Sequence, residues 1–246
     1  MVASFPAPYT EPARVEDDLR SRGYAVLAPH TVAALAGCQP DALQAIVPSW
    51  DDLRPDTYLK DGGSYRLRRH ACFVLEDGAL QQAPHRAHWQ PVDYNALHGG
   101  MRRWFEPVEP ATIAQPAWAQ LLNGVAAMCT RLMPVPRWYV EAHQFRIDTS
   151  DGIGRPTPEG AHRDGVDFVA VFLVGRMGIK GGETRVFEAN GPAGQRFTLS
   201  EPWSLLLMDD ARMIHETTPI QPNVDGAPGH RDTLVLTYRA DGFQGD

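Results

Sequence analysis

Residues 156–168 read PTPEGAHRDGVDF and place His162 and Asp164 two positions apart. On an extended strand side chains alternate between faces, so both point the same way, with Cα atoms about 6–7 Å apart. An imidazole nitrogen and a carboxylate oxygen so placed can converge on one metal ion. A third donor must come from a distant strand that returns beside the first. His215, in MDDARMIHETTP (208–219), fits that need. Two neutral imidazoles and one carboxylate form the facial set of non-haem Fe(II) oxygenases. The single carboxylate lowers the charge of the dication, and three octahedral positions stay open. Three histidines would instead suit zinc hydrolysis or cupin-type chemistry. H-x-D alone arises easily in surface turns, and a core histidine is common, so the trio needs support from elsewhere in the chain.

That support comes from Arg231, which opens the run RDTLVLTYR (231–239). By the period-two rule Arg231, Thr233, Val235 and Thr237 share one face, while Leu234, Leu236 and Tyr238 share the other. The first set suits a barrel interior with a polar pocket, the second a layer of helices. A buried guanidinium is costly unless an anion meets it, and its planar fork matches a carboxylate. The dicarboxylate 2-oxoglutarate fits, with its keto-acid end on the metal and its far carboxylate on Arg231 and Thr233. The competing reading pairs Arg231 with an internal acid, Asp209 or Asp210.

Outward from these motifs, the chain reads as mainly β within an α+β class. Helices are expected over 11–22, stopped by Gly23, over 40–47 and over 116–132, where Leu121, Leu122, Val125, Met128 and Leu132 recur at one-face spacing. A strand is expected over 24–28. From residue 138 onward short β-prone runs (138–147, 167–174, 184–188, 196–199, 204–208, 233–239) alternate with Gly- and Pro-rich turns, as in a sandwich or barrel. The expected architecture is one unit, 1–246. A mixed N-terminal part (1–135) packs on a jelly-roll core (136–240) that carries the metal site.

A formal charge of −7 argues against a nucleic-acid partner, which needs a basic face. No run is apolar and long enough for a membrane span. Cys38, Cys72 and Cys129 are isolated, and no leader pattern is visible in the first 25 residues, so a reducing cytoplasm is expected.

The segments PEGAHRDGVDF (158–168), GGET (181–184), MIHETTPI (213–220) and HRDTLVLTYR (230–239) resemble the bacterial 2-oxoglutarate/Fe(II)-dependent dioxygenases that include the L-isoleucine 4-hydroxylases. YRLRRHACF (65–73) and EAHQFRI (141–147) extend the likeness to roughly residues 60–240. The resemblance implies a double-stranded β-helix and Fe(II), 2-oxoglutarate and O2 as reagents, with ascorbate as a possible stimulant. It also implies hydroxylation of a free aliphatic L-amino acid with release of succinate and CO2. A peptide or protein side-chain hydroxylase and a cupin-like isomerase or binding module are the alternatives. Arg231 argues against the cupin-like option, which needs no carboxylate clamp, and Asp164 fills the position a halogenase would leave to halide.

Four further groups have open roles. Gln144 and Arg146 share a strand face that either meets 2-oxoglutarate or the substrate, or points away. Arg66, Arg68 and His70 share one face of 64–74, with Tyr65 and Arg69 on the other. Any of Tyr65, Arg66, Arg68 and His70 is a candidate for substrate binding. His85 and His88 form an H-x-x-H pair that reads more simply as surface histidines than as a second metal site. The loop 151–160 is either a lid or a connector.

Overall fold

A computed structural model describes residues 5–95 and 97–245; positions 1–4, 96 and 246 lie outside the described residues. Five α-helices are present among them: α1 (Val15–Arg22), α2 (Pro29–Ala36), α3 (Pro40–Gln44), α4 (Pro110–Ile113) and α5 (Pro116–Leu132). Helices α2 to α5 each begin on a proline, whose fixed φ and missing N–H suit the first helical turn. Gly23 ends α1 at φ 81°, and its N–H returns to the Leu19 carbonyl. A Cβ there would lie 2.9 Å from Met213 Sδ, so both the conformation and the space call for glycine. The expected helix over 40–47 is cut to α3. Pro48 cannot continue an α-helix, and a 3-10 segment, Val47–Asp52, follows instead.

The strands are β1 (Tyr24–Leu27), β2 (Arg54–Pro55), β3 (Arg66–Glu76), β4 (Ala79–Gln82), β5 (Arg137–Asp148), β6 (Phe168–Met177), β7 (Ile179–Gly181), β8 (Thr184–Glu188), β9 (Gly194–Phe197), β10 (Leu205–Asp209), β11 (Met213–Thr217), β12 (Ile220–Pro222) and β13 (His230–Arg239). The major sheet runs β1-β10-β6-β13-β5-β3-β2, with β4 beside β3. Facing it are β11-β8-β9 and the β12-β7 pair. This is a double-stranded β-helix, α+β and mainly β, the barrel that the spacing of turns and short runs points to and the fold that the family resemblance implies. Strands β1 to β4, from the N-terminal part, widen the major sheet beyond the run of strands that begins at β5.

The helices cover the outer face of the major sheet. Trp118, Leu121, Leu122 and Val125 of α5 pack with Leu234, Leu236 and Tyr238 of β13 in one core, and the Tyr238 hydroxyl donates to the Leu122 carbonyl at 2.9 Å. A smaller core between the sheets, built on Val26, Val169, Val186, Phe197 and Leu206, fills one end of the barrel. The other end is left to polar residues. No helix among the described residues is long and apolar enough to cross a membrane.

Candidate functional site

Register decides which side chains meet inside the barrel. Across β3, β5 and β13 the rows are Arg66–Ile147–Arg231, Arg68–Phe145–Thr233 and His70–His143–Val235. Directly opposed residues share a face, so Arg231, Thr233, Arg66 and Arg68 all enter one cleft of ≈ 940 Å³, measured with its open mouth. The pairing of β13 with β6 shifts register between Asp232 and Thr233, a bulge that re-aims the strand beside Arg231.

The opposite face carries Gln144 and Arg146, so of the two readings open for them the one that places them at 2-oxoglutarate is set aside. Gln144 Nε2 donates to Ser49 Oγ at 2.7 Å. Arg146 pairs with Asp232 at 2.8 Å and Asp51 at 3.1 Å. Trp50, on the same side, donates to the Phe145 carbonyl at 3.1 Å. Tyr65 also lies away from the cleft, in a small core with Ile147, Ile179 and Ile220, its hydroxyl donating to Asp61 at 2.6 Å.

His162, Asp164 and His215 come together. The H-x-D segment is extended and bridges β11, with His162 N–H to the His215 carbonyl at 3.0 Å and the reverse bond at 2.9 Å. The donor atoms of the trio lie within 4.8 Å of one another. Asp164 is 3.9 Å from both imidazole Nε2 atoms, through different carboxylate oxygens. Neighbouring donors around an ion with bonds of about 2.1 Å sit about 3 Å apart, so the trio must close by roughly an ångström to grip one. His162 Nδ1 donates to the Gly160 carbonyl at 2.9 Å, which leaves the Nε2 lone pair for a metal. Burial, then His162, push the His215 imidazole well below its ordinary range, so it is a neutral donor. At His162 burial opposes charge, yet Asp164 and Glu159 outweigh it and raise the ring. The site therefore attracts positive charge, as a cation-binding trio must.

Two buried partners brace Asp164. Gln90 Nε2 donates to its Oδ1 at 3.0 Å. Asp210 accepts the backbone N–H groups of Asp164, Gly165 and Val166 at 3.0, 2.8 and 3.1 Å. Losing a residue that orients a metal ligand costs about 10- to 100-fold in affinity. Asp210→Ala is expected to weaken metal binding by that amount, and Asp210→Asn, which keeps an acceptor, by less. Titrating metal into apo protein checks both.

Asp210 is thus spent on the ligand turn, and Asp209 accepts from the Ala211 N–H. Neither pairs with Arg231. Among the described residues no carboxylate lies within ion-pair distance of Arg231, which is 4% exposed, and its Nη2 is buried with no partner. Burial and the neighbouring Arg176 pull it down to about 10 against the pull of Asp232. An unpaired buried guanidinium with Thr233 beside it and Val171 and Leu206 in the same cleft fits an anion on a short apolar chain. 2-Oxoglutarate is such a molecule.

The segment 85–106 carries no regular periodicity. His88 is buried, which corrects its reading as a surface residue. Backbone bonds at 2.9 Å in both directions tie His88 to Arg103, and His88, Gln90, Asn95, His98 and Arg103 all line the cleft. His70, a substrate candidate by face, lies under this layer outside the cleft lining. With His88 and His143 it surrounds Glu141, whose Oε2 accepts from His70 Nε2 at 2.9 Å and His88 Nδ1 at 2.7 Å. These three imidazoles and the carboxylate have metal-like spacing. However, His143 Nδ1 already accepts from the Arg68 guanidinium at 2.7 Å. A dication there would face that cation, and the hydrogen bonds account for the cluster as a neutralising network. Burial pushes His88 down to about 4, against Glu141, so its ring is neutral at pH 7.

The loop 151–160 is a wall of the cleft. Gly154 bridges Ile220, Thr157 Oγ1 donates to the Thr217 carbonyl at 3.0 Å, and Pro156, Thr157 and Glu159 face the interior. Glu159 Oε1 lies 3.5 Å from His162 Nε2.

The sequence matches the 2OG-Fe dioxygenase family over residues 47–237. A crystal structure of a bsmA homologue from Methylobium petroleophilum PM1 is 52% identical, with TM-score 0.92 over 100% of this chain and 99% of that one. IDO from Bacillus thuringiensis shares the fold at 14% identity and TM-score 0.76, covering 98% and 100% of the two chains. The Fe(II)/α-ketoglutarate-dependent dioxygenase TqaL does so at 17% identity and TM-score 0.72, covering 95% and 88%. No protein with a curated description matches the chain. With the facial trio and the family match together, the chain belongs to the 2OG-Fe dioxygenases, enzymes that use Fe(II), 2-oxoglutarate and O2.

Proposed function

We propose that the protein hydroxylates a free aliphatic L-amino acid, with His162, Asp164 and His215 holding Fe(II) and Arg231 and Thr233 holding the far carboxylate of 2-oxoglutarate. Bound there, the metal and cosubstrate supply the oxidising power for C–H hydroxylation, with succinate and CO2 released. The residues of the chain bind, orient and enclose. Gln90 fixes one carboxylate oxygen of Asp164, and Asp210 fixes the turn that carries it. Val171, Leu206 and Val235 give the cleft apolar wall.

One observation carries the substrate reading: the cleft holds more cations than 2-oxoglutarate can use. Arg66 and Arg68 share a single carboxylate, Asp56, at 2.7 and 3.7 Å, and Arg103 has no acidic partner within ion-pair distance among the described residues. Arg68 is further held between the Phe105 and Phe145 rings, 3.6 and 4.4 Å from their centroids. A surplus buried cation favours an anionic substrate. The cover formed by His88, Gln90, Asn95, His98 and Arg103 favours a small molecule over a peptide, and the resemblance around residues 158–168 favours an amino acid.

The test is to incubate Fe(II)-loaded protein with 2-oxoglutarate, ascorbate and each free L-amino acid in turn. An aliphatic amino acid is expected to raise succinate above the uncoupled background and to yield a product heavier by one oxygen. Stimulation by peptides alone would overturn the amino-acid reading.

A further inference from the structure

The cleft contains hydrogen-bonding atoms that neither the metal trio nor Arg231 uses, and they fall into two groups of opposite sign. Arg103 and His98 are each 2% exposed and line the cleft, and both Arg103 Nε and His98 Nε2 are buried without a protein partner. Arg103 is held in place from its other side, Nη2 donating to Gln90 Oε1 at 2.9 Å. His98 is fixed by its backbone N–H, which donates to Asn95 Oδ1 at 2.8 Å. Asn95 in turn donates to Gln90 at 3.0 Å. One linked set, Asn95–Gln90–Arg103, therefore runs from the candidate substrate subsite to Asp164. The acidic group is Glu159, which also lines the cleft and whose Oε2 is buried with no hydrogen-bond partner.

Leaving buried donors and acceptors unmade costs free energy. Orphaned groups in one cavity are explained when a ligand completes them. Donors on the residue 98–103 side and an acceptor at Glu159 together call for a molecule with an anionic and a cationic end.

We infer that Arg103 and His98 bind the carboxylate of the substrate and that Glu159 binds its ammonium group, so that this pair selects zwitterions over simple acids and amines. The inference rests on the amino-acid reading above and adds the residues that recognise each end. Glu159 is three residues before His162 and 3.5 Å from its Nε2, so an ammonium on Glu159 places the α-carbon end of the substrate beside the metal trio. The side chain can then extend along the apolar wall. Sites built to pair a substrate's polar group reject analogues that lack it far more strongly than apolar pockets reject a missing methylene.

The experiment uses the Fe(II)-loaded enzyme with saturating 2-oxoglutarate and compares kcat/KM for three substrates of one carbon skeleton: the best amino acid, its des-amino carboxylic acid and its α-carboxamide. The wild type is expected to prefer the amino acid to either analogue by about 30-fold or more, the scale of an unmade buried charge contact. Glu159→Gln should erase the discrimination against the des-amino acid while retaining that against the amide. Arg103→Gln should do the reverse. Glu159→Asp should restore part of the lost preference. The KM for 2-oxoglutarate reports on the fold of each variant and is expected to stay within about threefold of wild type, since neither residue contacts Arg231. If the wild type turns over amino acids and Glu159→Gln keeps the wild-type preference, the assignment of Glu159 is wrong while the function stands. Loss of metal in Glu159→Gln would make Glu159 a metal ligand and also overturn the assignment. If no amino acid is turned over by the wild type, the functional reading fails and the inference goes with it.

Discussion

Asp164→Ala is expected to reduce bound metal from one ion per chain to a trace and to abolish Fe(II)-dependent succinate formation. Two neutral imidazoles remain in that variant, but the anionic donor that offsets the dication is gone, and with it one of the three fixed positions. The fold should survive. Asp164, its side chain 16% exposed, lies close to a buried carboxylate, Asp210, and burial and Asp164 together push Asp210 up to about 7 against three backbone N–H donors. Without a metal this like-charge pair works against the folded state, and relieving it offsets the loss of the contacts Asp164 makes with Gln90 and His162. The apo variant should therefore melt close to the temperature of apo wild type. Added Fe(II), or an inert divalent ion, should raise the melting point of wild type alone, because a ligand stabilises a protein only through the state that binds it. Metal analysis and thermal melts with and without the ion check this. Full metal occupancy in the variant, or retained activity, would displace the trio. A second equivalent of tightly held metal in wild type would point to the His70, His88, His143 and Glu141 cluster instead.

The parts of this molecule that local periodicity controls were readable in the sequence, and the parts set by long-range pairing were not. Apolar spacing over 116–132 foretells α5 because one helix face must be buried, and Leu234, Leu236 and Tyr238 do pack on it. H-x-D and the Arg231–Thr233 alternation likewise depend only on the pleat of a strand. The same pleat leaves Gln144 and Arg146 undecided, since period two says which residues share a face but not which face is inside. The partner strand answers that: Ile147, not Arg146, lies opposite Arg231. Residues 88–103 are harder still. Among the described residues their backbone is irregular, His88 is buried against Glu141 of β5 while Gln90, Asn95, His98 and Arg103 are buried in contacts with one another and Asp164, and no local pattern marks them as part of a cleft. Glu159 stood within the most informative stretch of the chain, yet its significance depends on an interior that only the closed barrel creates.

Arg231→Ala should cost 2-oxoglutarate binding about 2–5 kcal/mol, on the order of 30- to 5000-fold in Kd, while leaving metal affinity near that of wild type. The argument runs through the electrostatics of an unpaired group. Arg231 is buried, Arg176 repels it, and no acidic side chain among the described residues reaches it. In the absence of a bound anion its charge is a liability to the folded state. A carboxylate arriving at its fork is thus stabilised by a cation already desolvated and fixed, with little reorganisation left to oppose binding. For the same reason Arg231→Ala should not lower the melting temperature of the apo protein, whereas stabilisation by added 2-oxoglutarate should largely disappear. Arg231→Lys should recover only part of the affinity, because an ammonium cannot make the paired contacts of a guanidinium. Calorimetric titration of 2-oxoglutarate into protein carrying an inert divalent ion separates these terms. If Arg231→Ala binds 2-oxoglutarate as wild type does, the clamp lies elsewhere in the cleft. Arg146 is not available for that role, being turned outward onto Asp232 and Asp51. Arg66, in the same cross-strand row as Arg231 and on the cleft side of the sheet, would be the next residue to remove.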